Sequence, residues 1–185
     1  MTLNWYDLIA QAIGFIGVAL NIVAFQCKKH KNVMIFKSSN ELAFAAQYIM
    51  LGAYTGAALN GVSIVRNLLF ARLVEKKKPT LVYQIVFALF FVVVGIFTWK
   101  GPLDALVILA KPLSTFSYGL SDTAKVRLLS LPVSVSWLVY NYTAGSVAGI
   151  ICEAFTLVSL ITAIIRIDLP KYREKNRETG EHNPD

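Results

Sequence analysis

Long apolar runs separated by short, basic polar segments dominate this chain. A helix that crosses lipid needs roughly 20 apolar residues, and about 17 are tolerated. Seven segments reach that length: 3–26, 33–54, 57–74, 80–99, 102–120, 126–142 and 145–165. The fourth carries no charge at all. The second is the least apolar, because Lys37-Ser38-Ser39-Asn40-Glu41 makes its first half polar. The pattern predicts an all-α integral membrane protein of seven transmembrane helices. The tail 170–185 is polar, lacks apolar periodicity and is expected to be unstructured.

Composition narrows the class. Of 185 residues, 56% are apolar and only 16% charged, with a mean hydropathy of +0.56. An average soluble domain carries roughly 25% charged residues. So few polar side chains argue against a soluble enzyme, a disordered chain or a nucleic-acid-binding domain. The net charge of +7 sits between the apolar segments rather than on one face, and so reads as a topology signal. With the N-terminus outside, fifteen cations fall in inner loops, inner helix ends and the tail, and only Lys100 falls in an outer loop. Six spans would put one basic cluster outside, so seven spans with the C-terminus inside fit best. No basic region precedes the first apolar run, and the first helix is expected to be retained. Cys27, Cys152, His30 and His182 form no ligand cluster, so no metal or cofactor is expected and the cysteines read as small apolar fillers.

The segment order suggests an internal repeat: three helices, one uninterrupted apolar helix, three helices. That gives a first bundle (1–75), a linker helix (76–100), a second bundle (101–169) and a tail (170–185). An offset of 88 aligns Tyr54-Thr55 with Tyr142-Thr143 and Gly61 with Gly149. One linker span makes the two bundles parallel, an arrangement that in some transporters places the substrate site at the repeat interface near the midplane.

Arg66, Lys111 and Glu153 fall inside spans, each about 12–14 Å from the outer start of its helix at about 1.5 Å per residue. A charge near the midplane costs at least about 2.5–3.5 kcal/mol. Three charges at one level are therefore expected to face one another. The functional reading is a polar cavity between the bundles that holds a small polar or anionic solute. The rival reading is a fixed Arg66–Glu153 bridge that only sets helix register. Asn21, Gln47, Asn60, Asn67, Ser114 and Ser134 either line that cavity or hydrogen-bond a neighbouring helix. Glu41, nearer the inner side, reads as a capping or snorkelling residue. Trp137, mid-span, is either core or a flat wall for a ligand. Pro112 and Pro132 interrupt the fifth and sixth helices, and Gly14 and Gly17 allow close packing of the first.

Tyr48-x-x-Leu51-Gly52-x-Tyr54-x-Gly56-Ala57, then Leu59-Asn60 and Arg66, resembles the first hairpin of the YgjV-type bacterial inner membrane proteins. Trp137-x-x-Tyr140-Asn141-x-x-Ala144-Gly145-Ser146-x-x-Gly149, then Glu153, resembles their second. The resemblance implies a SWEET- and PQ-loop-like architecture, with two three-helix bundles joined by a linker. It also implies a Trp on the sixth helix and a polar residue on the seventh at the substrate, positions similar to Trp137 and Glu153, with Arg66-Asn67 near the matching place in the first half. The chain departs from that pattern where the PQ pair is reduced to Gln26 and where the prolines of the first two helices are missing. The expectation is a multi-pass inner membrane transporter or facilitator with Arg66, Lys111, Trp137, Glu153, Asn67 and Gln47 at its site. The rival is a non-transporting scaffold or partner-binding protein with a closed ion-pair network. The expected partners are the lipid bilayer and a small solute, with no nucleic acid. No nucleophile–base pair or carboxylate pair at one depth suggests an enzyme.

Overall fold

The computed structural model describes residues 4–27, 30–76, 78–117, 123–170 and 172. Lys28, Lys29, Lys77 and all of the tail beyond Pro170 except Tyr172 lie outside the described residues. Seven α-helices follow one another: α1 Trp5–Gln26, α2 His30–Met50, α3 Tyr54–Glu75, α4 Leu81–Phe97, α5 Asp104–Ser117, α6 Thr123–Ala144 and α7 Val147–Ala163. A π-helical turn, Ile164–Asp168, continues α7, and no strand occurs among the described residues. The apolar runs therefore locate all seven helices, with ends displaced by a few residues.

The burial pattern is that of a chain solvated by lipid. Leu, Ile, Val and Phe crowd the outer faces, whereas Gln47, Thr55, Asn60, Ser63, Arg66, Asn67 and Asn141 are buried. Backbone groups satisfied within helices make such an exterior possible, because lipid offers no hydrogen-bond partner. Trp5–Ala24 and Val147–Asp168 are long and apolar enough to cross a membrane, and Leu81–Phe97 is a shorter apolar helix. The other helices carry more polar residues because part of each surface faces the interior of the helix ring.

Each helix packs on the next in sequence, and α7 closes on α1. Helices α3 and α5 also touch each other, so α4, which contacts both, lies across their seam. Helix α4 buries one stripe, Gln84, Ala88, Phe91 and Gly95, and leaves its remaining faces largely to lipid. Close approach of α1 and α2 depends on Gly14 and Gly17, where any Cβ would run into the side chains of Gln47 and Phe44. The apolar core joins Phe44 and Tyr48 of α2, Leu59 of α3, Phe91 of α4, Val107 and Ile108 of α5, and Trp137 and Tyr140 of α6.

Two turns share one geometry at a spacing other than 88. Gly52 and Gly145 both adopt positive φ, 71° and 69°, where glycine is free of the Cβ penalty. Around Gly52, the Gly52 amide bonds to the Ile49 carbonyl (3.2 Å) and the Ala53 amide to the Tyr48 carbonyl (2.8 Å). Around Gly145, the Gly145 amide bonds to the Tyr142 carbonyl (3.3 Å) and the Ser146 amide to the Asn141 carbonyl (3.0 Å). Both are Schellman caps, and their glycines stand 93 positions apart. The offset of 88 sets Tyr54, the first residue of α3, against Tyr142, which precedes the turn in α6, and so pairs unlike positions.

Candidate functional site

A cavity of about 310 Å³ lies within the ring of helices. Its wall draws on every helix except α4: Asn21 of α1, Glu41 of α2, Arg66 of α3, Lys111 of α5, Trp137 of α6 and Glu153 of α7 are members. Many lining residues fall into pairs 93 positions apart: Asn21 with Ser114, Lys37 with Ser130, Asn40 with Val133, Glu41 with Ser134, Phe44 with Trp137, Tyr48 with Asn141, and Asn60 with Glu153. Two members of one pair touch each other, since the Tyr48 hydroxyl donates to Asn141 Oδ1 at 2.6 Å.

The expected site residues divide into three groups. Arg66, Lys111, Trp137 and Glu153 line the cavity, as do Asn21, Asn60, Ser114 and Ser134. Asn67 supports Arg66 instead: its Oδ1 accepts from Arg66 Nε at 3.1 Å and from Nη2 at 2.9 Å. Gln47 belongs to a polar network at one end of the ring, where its Nε2 donates to Gln11 Oε1 (3.1 Å) and its Oε1 accepts from Ser146 Oγ (2.9 Å).

The charges stand at unequal distances from the starts of their helices. Arg66 lies 12 residues beyond the start of α3, Lys111 seven beyond that of α5 and Glu153 six beyond that of α7. At about 1.5 Å per residue these are about 18, 10 and 9 Å along their helices. The reason is that α3 begins at the turn, three residues earlier than the apolar run suggests, whereas α5 and α7 begin two residues later.

Lys111 pairs with Glu41, its Nζ 3.0 Å from Oε2 and 3.2 Å from Oε1. The side chains are 6% and 16% exposed, so the capping or snorkelling role expected of Glu41 is corrected to that of a largely buried partner joining α2 to α5. Lys111 Nζ also lies 4.8 Å from the centre of the Trp137 ring, and Tyr48 stacks on the same indole. Trp137 is therefore both core and cavity wall. Arg66 donates through Nη1 to Thr115 Oγ1 at 2.7 Å and lies over the Phe91 ring at 5.3 Å. Those contacts bind α3 to α5 and α4. Glu153 has Ser134 as a side-chain hydrogen-bond partner and Lys111, Lys37 and Glu41 as charged neighbours.

The two ends of the ring are held differently. At the turn end, hydrogen bonds cross between α1–α3 and α5–α7. Gln11 Nε2 donates to the Gly145 carbonyl (2.8 Å), and the Gly56 amide donates to the Tyr140 hydroxyl (2.8 Å). At the basic end, Lys31 pairs with Glu75 within α1–α3 (3.3 Å), and Arg127 Nε donates to Asp168 (2.8 Å) within α5–α7 and its π-helical extension. The cavity wall reaches toward that basic end through Val126, Arg127 and Leu160.

Sequence reasoning missed Lys37, Asn40, Glu41, Phe44 and Tyr48 as a set. Their spacing was the available signal: positions 37, 41, 44 and 48 recur at helical period on one face of α2.

A lipid-facing exterior around a polar interior defines a polytopic membrane protein of the α-helical class. The family model described as bacterial inner membrane protein, Imp-YgjV, matches residues 8–171, and the chain belongs to that family. It is a multi-pass protein of the bacterial inner membrane. It is similar to "Inner membrane protein YgjV" of Escherichia coli (strain K12), with 22% identity over 166 residues that cover 90% of this chain and 86% of that one. No solved structure matches it.

Proposed function

We propose that this protein carries a small polar or anionic solute across the inner membrane through seven spans arranged as 3+1+3, with the N-terminus out and the C-terminus in. The observation that carries the reading is the cavity between α1–α3 and α5–α7, lined by residues in pairs 93 apart. Under that offset α1, α2 and α3 correspond to α5, α6 and α7. The seam between α1 and α7 then corresponds to the seam between α5 and α3, and both are contacts of the ring. Helix α4, outside one seam, serves as the linker. Substrate sites between parallel repeats fit this plan. The cavity wall holds Lys37, Arg66, Lys111 and Arg127 against Glu41 and Glu153, a cationic excess that favours solutes bearing an acid group. The cross-half bonds at the turn end and the within-half pairs at the basic end are those of a carrier open toward its basic, cytoplasmic side. The protein acts by binding and release and performs no covalent chemistry.

A scaffold role is the second reading, and the observation that favours it is the Lys111–Glu41 pair, which alone could hold two helices in register. The cavity beside that pair favours transport.

Uptake by proteoliposomes decides between them. Purified protein is expected to speed entry of at least one labelled polar solute, and Glu153→Gln is expected to cut that rate at least tenfold while the protein keeps its elution profile and thermal stability. Flux that matches empty liposomes across the panel would reject transport, and flux unchanged by Glu153→Gln would remove the site from this cavity.

A further inference from the structure

Helix α7 presents two concave faces. Gly149, Cys152, Glu153, Thr156 and Leu160 belong to the cavity inside the ring. On the outward side a second hollow, of about 420 Å³, runs along α7 and the π-helical turn and is lined by residues of that segment alone. The exposed side chains of Phe155, Val158 and Ile167 rise around Ser159, Thr162 and Ala163, whose small size leaves a trough between them. Thr162 donates its hydroxyl to the Val158 carbonyl at 2.8 Å and so turns no free donor toward lipid. Arg166 stands at one end of the trough.

Length and charge identify what fits the trough. Phe155 to Arg166 spans about 16 Å at about 1.5 Å per residue, and one leaflet of a hydrocarbon core about 30 Å thick is about 15 Å deep. Arg166 lies about 28 Å beyond Val147, the first residue of α7, and so reaches the headgroup boundary on the basic side. The trough therefore covers one leaflet, from mid-bilayer to headgroups. Asp168, two residues on, points away from Arg166 around the helix and accepts from Arg127 Nε of α6 at 2.8 Å. Among the described residues Arg166 has no carboxylate partner, and it is exposed. A guanidinium binds a phosphate through two parallel hydrogen bonds. The sequence after Pro170 adds Lys171, Arg173, Lys175 and Arg177 against Glu174, and basic residues beside a span draw anionic lipid.

We propose that this face of α7 binds one anionic phospholipid of the leaflet at the basic end, its phosphate on Arg166 and one acyl chain laid along the trough toward Phe155. The site lies outside the ring and is independent of what the inner cavity carries. A second copy of the chain fits the face less well. Copies inserted in the same sense pair about a twofold axis along the membrane normal, which sets the same patch against itself. Arg166 would then meet Arg166 at one depth, where like charges repel more strongly than in bulk water. A zwitterionic phospholipid offers the same phosphate but brings an ammonium group toward Arg166 and the basic segment after it. An anionic headgroup brings none.

Native mass spectrometry of the full-length protein tests the site. Detergent-solubilised protein is incubated with equal amounts of dioleoylphosphatidylglycerol and dioleoylphosphatidylethanolamine, which share their chains and differ in headgroup charge. The expected result is a bound phosphatidylglycerol that is retained about fivefold better than phosphatidylethanolamine under collisional activation. Arg166→Gln is expected to bring the two lipids to equal retention. Ser159→Phe fills the trough at an exposed position and leaves every charge in place, and it is expected to lower phosphatidylglycerol retention by a similar factor. Equal retention of the two lipids by the parent overturns the proposal whether or not either variant folds. An unchanged preference in Arg166→Gln would assign the lipid to the basic segment beyond Pro170 and overturns it as well, as does unchanged retention in Ser159→Phe. Displacement of the lipid by glycerol 3-phosphate would leave only a phosphate contact and overturns the acyl-chain trough. A dimer of the parent that Ser159→Phe dissolves would give the face to a second copy, again overturning the proposal.

Discussion

The turn end and the basic end of the helix ring are built from different interactions. At the turn end the two halves are joined by short hydrogen bonds between neutral groups: Tyr48 to Asn141 (2.6 Å), Ser146 to Gln47 (2.9 Å) and Gly56 to Tyr140 (2.8 Å). At the basic end the pairs Lys31–Glu75 and Arg127–Asp168 each stay within one half. Between the ends, Lys111–Glu41 and Arg66–Thr115 cross from one half to the other. Neutral hydrogen bonds exchange readily for others at modest net cost, about 0.5–1.5 kcal/mol each, so a seal made of them can open. Buried ions do not separate so cheaply, and in the proposed carrier Lys111–Glu41 marks the level at which the halves stay joined.

Breaking that level gives the largest expected effect. Lys111→Ala leaves the Glu41 carboxylate without its ammonium partner in a largely buried place, and loss of one member of a buried pair costs about 3–5 kcal/mol. The unfolding midpoint in a denaturing-detergent titration is expected to fall accordingly. Combining Lys111→Met with Glu41→Gln is expected to recover most of the loss, because no lone charge remains. A single variant as stable as the parent would mean that Glu41 is solvated well enough to stand alone.

The sequence made the helices legible and the charge partners much less so. Apolar length and basic loops locate all seven helices, because lipid imposes both. The interior obeys another rule. Lys37-Ser38-Ser39-Asn40-Glu41 weakens α2 as an apolar span, yet Lys37, Asn40 and Glu41 line the cavity and Ser38 is buried. Polarity there marks a wall facing the interior rather than a weak helix. The offset of 88 rested on matching strings alone: Tyr-Thr at 54 and at 142 fall at unlike places, whereas Leu51-Gly52 and Ala144-Gly145 share a backbone geometry that only glycine adopts readily. Arg66 lies farther along α3 than the apolar run from 57 suggests, since the Gly52 turn lets α3 start at Tyr54. Asn67, close in sequence to the charge, proved to be its support, because its amide reaches back to the guanidinium.

The next effect sharpens the contrast by weakening the turn end alone. Tyr48→Phe keeps the ring stacked on Trp137 but removes the donor to buried Asn141 Oδ1. An unsatisfied buried acceptor costs about 1–3 kcal/mol. Cys152, on the cavity wall, reports which end has opened. In the proposed orientation a membrane-impermeant maleimide labels Cys152 of the parent from the cytoplasmic side of inverted vesicles and much more slowly from the other side. Cys27 is replaced by Ser in both proteins so that a single thiol reads out. Tyr48→Phe is expected to raise labelling from the far side several-fold while the cytoplasmic rate falls. Equal labelling of both proteins from the far side would show that this hydrogen bond does not seal the turn end.

The smallest effect belongs to the basic end. Lys31 and Glu75 are each 56% exposed and 3.3 Å apart, so water and ions screen their attraction, and such pairs contribute about 0–1 kcal/mol. They also join α2 to α3, two helices already packed within one half. Lys31→Ala is therefore expected to leave the unfolding midpoint within about 1 kcal/mol of the parent and to leave Cys152 labelling unchanged from either side. The result matters because the cation count resembles that of Lys111→Ala while the location differs. Both variants delete one ammonium group facing one carboxylate. If only the largely buried, cross-half pair changes stability and access, then position between the halves, not the number of ion pairs, governs how the ring is held. A large loss from Lys31→Ala would instead show that an exposed pair within one group of helices holds the ring as firmly as the buried pair between the groups.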